Sequence, residues 1–274
     1  MTRHRLALTG GLVLVLIAGF CFLGPLIHHT DQTDVDLVNA ALPPGAGHLL
    51  GTDTNGFDVL GRLMTGGRLS LEIGLLAALI STLIGTLYGA VAGLAGGVVD
   101  GFLMRLVDVM LSIPFLFVVL ILSARFAASA VSLSLVIGGF SWLLSARLIR
   151  GEVLALRVRE FVLAAKVMGA SRRRIILTHL IPHALGVIII NATFQVADAI
   201  IVVSALGFLG FGMTYPTVDW GSQLADGASY LSTGYWWLVY PVGACIVLTV
   251  LALNLLADAL RDAIGRPTSP SSQN

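Results

Sequence analysis

The sequence predicts an all-α, polytopic membrane protein with six transmembrane helices, and three observations carry that prediction. Charged residues make up 11% and hydrophobic residues 57% of the 274 positions, whereas a water-soluble domain carries roughly 25% charged residues. So small a charged fraction cannot cover a surface that faces water, and the simplest solvent for such a chain is a bilayer. Six segments, 6–27, 70–97, 104–125, 130–149, 183–212 and 237–258, are apolar over the ~20 residues that a spanning helix needs. Basic residues fall on alternate connections, as the positive-inside rule expects.

The first segment follows Arg3, His4 and Arg5 and runs from Leu6 to Ile27. It exceeds the ~7–15 residues of a signal-peptide core, and the bulky Phe20 before Cys21 makes a poor cleavage site. It is expected to be a retained span. Cys21 and Cys245 sit in separate apolar runs and read as small buried residues rather than a disulfide pair. Residues 28–69 form a polar connection rich in Pro, Gly and Asp.

In the second segment Gly85, Gly89, Gly93 and Gly97 recur every four residues and so share one helix face. Small residues on one face allow close helix packing in lipid. Pro114 predicts a kink or break in the third segment. Asp108 there, and Asn254 and Asp258 in the sixth, are expected to cap helices, to pair with Arg105 or Arg261, or to hold the hinge. Tyr235, Trp236 and Trp237 read as an aromatic belt at the outer interface.

With the N-terminus inside, Arg3, Arg5, Arg105, Arg147, Arg150, Arg157, Arg159, Lys166, Arg172, Arg173, Arg174, Arg261 and Arg266 also lie inside, 13 of the 16 Lys and Arg. Arg62, Arg68 and Arg125 remain outside, and both termini are therefore expected on the cytoplasmic side. The organisation expected is a span plus outer loop over 1–69, a five-helix core over 70–262 with a cytoplasmic loop at 150–182, and a disordered tail over 263–274.

An enzyme is not indicated. The chain has neither H-E-x-x-H nor G-x-x-x-x-G-K-[ST], so no catalytic residue is assigned and no nucleotide site is expected in this chain. His179 and His183 are four apart, but Pro182 stands between them and no third ligand is near, so no metal is expected. The glycines of Gly207-Phe-Leu-Gly210-Phe-Gly212 follow no strand and are set aside. The net charge of +1 by itself says nothing about nucleic acid, and no nucleic-acid partner is expected.

The loop at 150–182 carries the most information. Residues 152–168 favour helix, Gly169 interrupts it, Ser171 can cap a second helix and Pro182 closes the segment. Phe161, Ala164, Ala165 and Met168 fall on one expected apolar face. A basic helical hairpin with an apolar face is suited to docking on a partner. In the fifth segment Asn191, Gln195 and Asp198 share a face. A carboxylate there costs ~2.5–3.5 kcal/mol on insertion scales. Two readings stand side by side for this face: a lining for a translocation path, or hydrogen-bonded contacts between packed helices.

The segment around Ala164, Ala165, Gly169 and Pro182 resembles the coupling loop of binding-protein-dependent ABC importer permeases, whose pattern is Glu-Ala-Ala, three residues, Gly, nine residues, Ile, one residue, Leu-Pro. Leu163 stands in the glutamate's place, and His179 and Ile181 in those of the Ile and Leu. The resemblance extends to His48-Leu-Leu-Gly51-Thr52-Asp53, Asp58-Val-Leu-Gly-Arg62, Ser112-Ile-Pro114, Phe208-Leu-Gly210-Phe-Gly212, Trp220-Gly221 and the run from Leu251 to Asp262. These motifs are similar to the C-type subunit of the dipeptide, oligopeptide and nickel group. Phe57 departs from a usual arginine and Val203 from a common acidic residue.

The resemblance implies a type I importer permease fold that works by alternating access in a bacterial inner membrane. It implies a second, homologous permease, two cytoplasmic ATPase domains that bind ATP and Mg, and an external solute-binding protein. It places Glu160, Ala164, Ala165, Gly169, Ala170, Ile175 and Pro182 at the ATPase contact. Its cargo would be di- or oligopeptides, with nickel, glutathione or haem as alternatives. An ATP-independent channel or secondary transporter is the more distant reading; it would carry internal repeats, which are not seen, and would leave the basic hairpin unexplained.

Overall fold

The computed structural model describes residues 2–264 apart from Ala46 and Ala127, with side chains described from Ala7 onward. The expected disordered tail lies outside the described residues beyond Ile264. The described chain is helical: α1 Thr2–Ile27, α2 Val59–Ala95, α3 Gly97–Leu111, α4 Phe115–Ser123, α5 Ala130–Leu156, α6 Glu160–Val167, α7 Arg172–Arg174, α8 Ile181–Phe208, α9 Trp220–Ala228 and α10 Tyr240–Ile264. Among the described residues the β structure is a lone bridge between Thr52 and Asp58.

Five helices are long and apolar enough to cross a bilayer, and α3 with α4 supplies a sixth crossing that is bent by 74°. The bend falls at Ser112-Ile113-Pro114, where Pro114 precedes the first turn of α4. Proline has no N–H to continue the ladder of α3, so the break belongs to that residue.

Two differences from the expected boundaries bear on the site. α2 has 37 residues and begins at Val59, inside the expected outer loop. At 1.5 Å per residue it is ~55 Å long, well beyond a ~30 Å hydrocarbon core, and Arg62 and Arg68 fall in its first three turns. Asp58 starts it there, accepting a hydrogen bond from the Gly61 N–H at 2.8 Å. Second, Pro182 does not close the segment 150–182 as expected. A π-helical stretch, Ile175–Leu180, joins α7 to α8, and Pro182 sits in the first turn of α8. A proline is tolerated there because first-turn N–H groups need no partner within the helix.

α2 and α5 form the central seam, α8 packs beside them, and α1 leans on α10. A Cβ on Gly85 would stand 2.6 Å from Ser145 Cβ, one on Gly89 2.4 Å from the Ala146 carbonyl oxygen, and one on Gly93 2.8 Å from Val153 Cγ1. These three glycines hold α2 against α5, and Gly138 of α5 does the same against Ala77. Gly97 does not belong to the stripe. α2 ends at Ala95, Gly96 and Gly97 turn the chain at positive φ, and a Cβ on Gly97 would meet nothing within 4 Å.

At the Val59 end of α2, the described residues of 28–58 and 209–239 fold into one collar. Asp58 is held by His48 at 2.8 Å and His28 at 3.2 Å. Trp237 donates to the Thr52 carbonyl at 3.2 Å and is buried, so it is a structural anchor of the collar rather than part of an interfacial belt. Phe57 is 1% exposed, beneath the Arg62 guanidinium at 4.0 Å, so it has no surface to offer a partner. Val203 is likewise core, packed with Ile73, Val119 and Leu206.

Candidate functional site

The hairpin expected on the cytoplasmic side is α6, a turn at Gly169, and α7 running on into α8. The turn is a Schellman motif. The Ala170 N–H donates to the Ala165 carbonyl and the Gly169 N–H to the Lys166 carbonyl, both at 3.0 Å. Gly169 has φ +77°, which glycine adopts without cost. Ser171 then caps the second arm, accepting from the Arg174 N–H at 3.3 Å.

The hairpin is keyed into the spans from below. Val162, Ala165, Ile175 and Leu180 are buried against Ala90 of α2 and Ile149 and Val153 of α5. Phe161 stacks on His183 of α8, with ring centroids 4.3 Å apart. Arg157 donates to the Gly93 carbonyl at 2.9 Å, tying the hairpin's root to the end of α2. The buried face is therefore Phe161, Val162 and Ala165. The expected face also includes Ala164 and Met168, and both are exposed. The outward side presents Leu163, Val167 and Met168 at 47%, 89% and 81% exposure. Glu160 stands exposed at the start of α6.

The polar face of α8 divides in two. The Asn191 amide donates to Ser145 Oγ at 2.8 Å. The Gln195 amide reaches Ser81 Oγ at 2.5 Å, Ser145 Oγ at 2.7 Å and the Ser141 carbonyl at 3.0 Å. These bonds fasten α8 to α2 and α5. Asp198 is exposed to a cavity of about 310 Å³ and has no hydrogen-bond or ion-pair partner among the described residues. Met110, Ile113, Phe115, Phe140 and Ile201 supply apolar wall to the same cavity, which opens beside the α3–α4 bend.

Residues 59–269 match the family described as "Binding-protein-dependent transport system inner membrane component". The chain belongs to this family of transport permeases. Residues 1–44 match the "N-terminal TM domain of oligopeptide transport permease C". The chain is 42% identical over 264 residues to the oligopeptide transport system permease protein OppC of Escherichia coli strain K12, covering 96% of this chain and 87% of that protein. It is 37% identical to the dipeptide transport system permease protein DppC of Bacillus subtilis, with coverage of 96% and 82%. It is 35% identical to the probable D,D-dipeptide transport system permease protein DdpC of E. coli K12, with coverage of 94% and 87%.

In this permease, then, the family's small residues have physical reasons. Ala165 is buried and its carbonyl accepts from the Ala170 N–H, while Gly169 supplies the left-handed turn between them. Sequence reasoning missed the charged clamps above the hairpin. Arg150 of α5 grips Asp100 of α3 through two bonds, at 2.5 and 2.7 Å. Arg147 holds Asp108 one turn further along. Asp108 therefore pairs across helices and not with Arg105 on its own helix, as the sequence suggests. At the far end Arg261 lies over the Phe194 ring. Only the presence of two acids on α3 and two arginines on α5 hints at the clamps, which pair them in opposite order along the chain. Arg150→Gln removes a charge-assisted bidentate contact, and is expected to cost about 1.5–3 kcal/mol. A lowered melting temperature in detergent checks it.

Proposed function

We propose that this permease forms half of the translocation path of an ATP-driven importer of di- or oligopeptides. The observation that carries the coupling role is the hairpin's two-sidedness. One side is packed into α2, α5 and α8, and the other leaves Leu163, Val167 and Met168 uncovered. Three large apolar side chains around one turn suit a partner's apolar groove. Glu160, Ala164, Gly169 and Pro182 frame that surface or its junction with α8. A rigid hairpin moves the spans it is keyed to, which is what alternating access requires.

The partners in this reading are a second homologous permease, two cytoplasmic ATPases that bind ATP and Mg, and an external solute-binding protein that meets the collar. The membrane is the bacterial inner membrane, with both termini cytoplasmic. The peptide cargo rests on the names of the relatives. Leu163→Cys, in a background lacking Cys21 and Cys245, reads the orientation. A membrane-impermeant maleimide should label it in inverted vesicles and spare it in intact spheroplasts. The opposite labelling would reverse the topology. Co-expression with the neighbouring genes and gentle extraction should bring an ATPase with the chain; a chain that purifies alone and moves solute without ATP would overturn the importer reading.

Asp198 is the proposed contact for a peptide ammonium group within the path. Asn191 and Gln195 hold its helix. Asp198→Asn keeps the size and removes the charge. Losing one charge-assisted hydrogen bond of about 1.5–3 kcal/mol should weaken peptide uptake by about tenfold or more. Unchanged uptake of every peptide tested would remove Asp198 from the path.

A further inference from the structure

A groove of about 400 Å³ runs between the cytoplasmic end of α2 and the second arm of the hairpin. Leu87 and Val91 of α2 form one wall, and Ile176 and Leu177 of the π-helical stretch form the other. Arg172 and Arg173 line it too, and they alone bring charge to it. Their side chains have no hydrogen-bond or ion-pair partner among the described residues. The arginines at the foot of α5 are engaged, Arg150 with Asp100 and Arg157 with the Gly93 carbonyl.

From this arrangement we propose that the groove is a binding site for an anionic phospholipid of the cytoplasmic leaflet. The phosphate sits between Arg172 and Arg173, and one acyl chain lies along Leu87, Val91, Ile176 and Leu177. The occupant follows from the division of the walls. From Leu87 to Ala95 the α2 wall is ~12 Å long and aliphatic, and it belongs to a helix that crosses the bilayer. A free phosphate has no use for that wall, and a protein carboxylate would not reach down it. The arginines stand at the start of the apolar stretch Arg172–Phe208, the depth at which headgroups lie. Basic clusters at the cytoplasmic ends of spanning helices attract anionic lipid. Arg172 also lies three residues after Gly169, so a bound headgroup would tie the end of α2 to the moving arm of the hairpin. Transport would then depend on anionic lipid.

The proposal rests on the cytoplasmic placement of the hairpin, which the Leu163→Cys labelling reads separately. The test uses the complete transporter in nanodiscs of phosphatidylcholine with phosphatidylglycerol. Retained lipid is counted by mass spectrometry after a detergent wash. Wild type should retain phosphatidylglycerol. The double variant Arg172→Gln/Arg173→Gln should hold it about 25-fold more weakly, the product of about fivefold per basic residue. Arg159→Gln/Arg174→Gln, which leaves the groove's arginines in place, should retain it. Val91→Trp, which fills the groove and keeps both arginines, should lose it as well. Stimulation of transport by phosphatidylglycerol should disappear in the two groove variants. Equal retention in wild type and the double variant would overturn the site. So would absence of retained lipid in wild type, because the groove would then be covered by a protein partner. Displacement of the lipid by millimolar inorganic phosphate would also overturn it, in favour of a simple anion site. Labelling from the outside together with retained lipid would reject the topology and keep the site.

Discussion

Gly169→Leu is expected to cut ATP-driven uptake by at least about tenfold while the chain still accumulates in the membrane. The reason is local. Gly169 has φ +77°, and a left-handed backbone costs a non-glycine residue about 1–2 kcal/mol. That strain falls on the two Schellman bonds that hold Ala170 and Lys166 in register. A Cβ at Gly169 meets nothing within 4 Å, so the new side chain does not collide with this chain and the spans above remain packed. It stands in open space on the turn that directly follows the exposed Val167 and Met168, part of the surface proposed for the ATPase. The fold should therefore survive and the coupling should not. Gly169→Asn separates the two contributions, because asparagine tolerates the left-handed region better than leucine. If backbone strain dominates, the Asn variant should stay within about threefold of wild type; if Asn is as damaging as Leu, the side chain itself obstructs the partner. Either result keeps the hairpin as the coupling element. Wild-type uptake by the Leu variant would remove it.

What could be read from the sequence follows from which signals are local. The spans are legible because twenty apolar residues in a row have one solvent that suits them. Gly169 and Ser171 are legible because turn and cap chemistry involves only near neighbours. The buried face of α6 is not, for Phe161, Val162, Leu163, Ala164, Val167 and Met168 are all apolar, and an eight-residue helix leaves its phase undetermined. The phase is set by Ala90, Ile149 and Val153, residues far away in the chain. Pro182 misleads in the opposite way. A proline normally ends a helix, but here the π-helical stretch before it places it in a first turn, where its missing N–H does no harm. For α8 the sequence leaves two roles open for one face, and the structure distributes them. Asn191 and Gln195 bond to serines on α2 and α5, which sequence spacing cannot reveal, and Asp198 alone of the three faces the cavity without a partner among the described residues.

Gly89→Leu is expected to abolish accumulation of the folded chain, and Gly101→Leu to leave it unchanged. Both are helical glycines in apolar surroundings, and composition alone would rank them together. At Gly89 a Cβ would stand 2.4 Å from the Ala146 carbonyl oxygen, 2.9 Å from the Arg150 amide nitrogen and 3.1 Å from Ile149 Cβ. Two of these atoms are backbone and cannot rotate away, so α2 and α5 must separate. In a bilayer, close packing between helices replaces the hydrophobic drive that holds a water-soluble core together. Overpacking by extra methylenes costs about 1–3 kcal/mol where neighbours can yield, and here they cannot, so the loss should lie at or above that range. The clamp from Arg150 to Asp100 also leaves from this turn of α5, and separation would strain it. At Gly101 a Cβ meets nothing within 4 Å. Gly97 is a separate case, because its φ of +54° penalises leucine for backbone reasons alone. Gly97→Asn should therefore accumulate normally, although a strict four-residue repeat would group it with Gly89. Fluorescence-detected gel filtration of the solubilised variants measures all three. Normal accumulation of Gly89→Leu would mean that α2 and α5 are not held together by this seam, and equal loss at Gly89 and Gly97 would restore the repeat as the unit that packs.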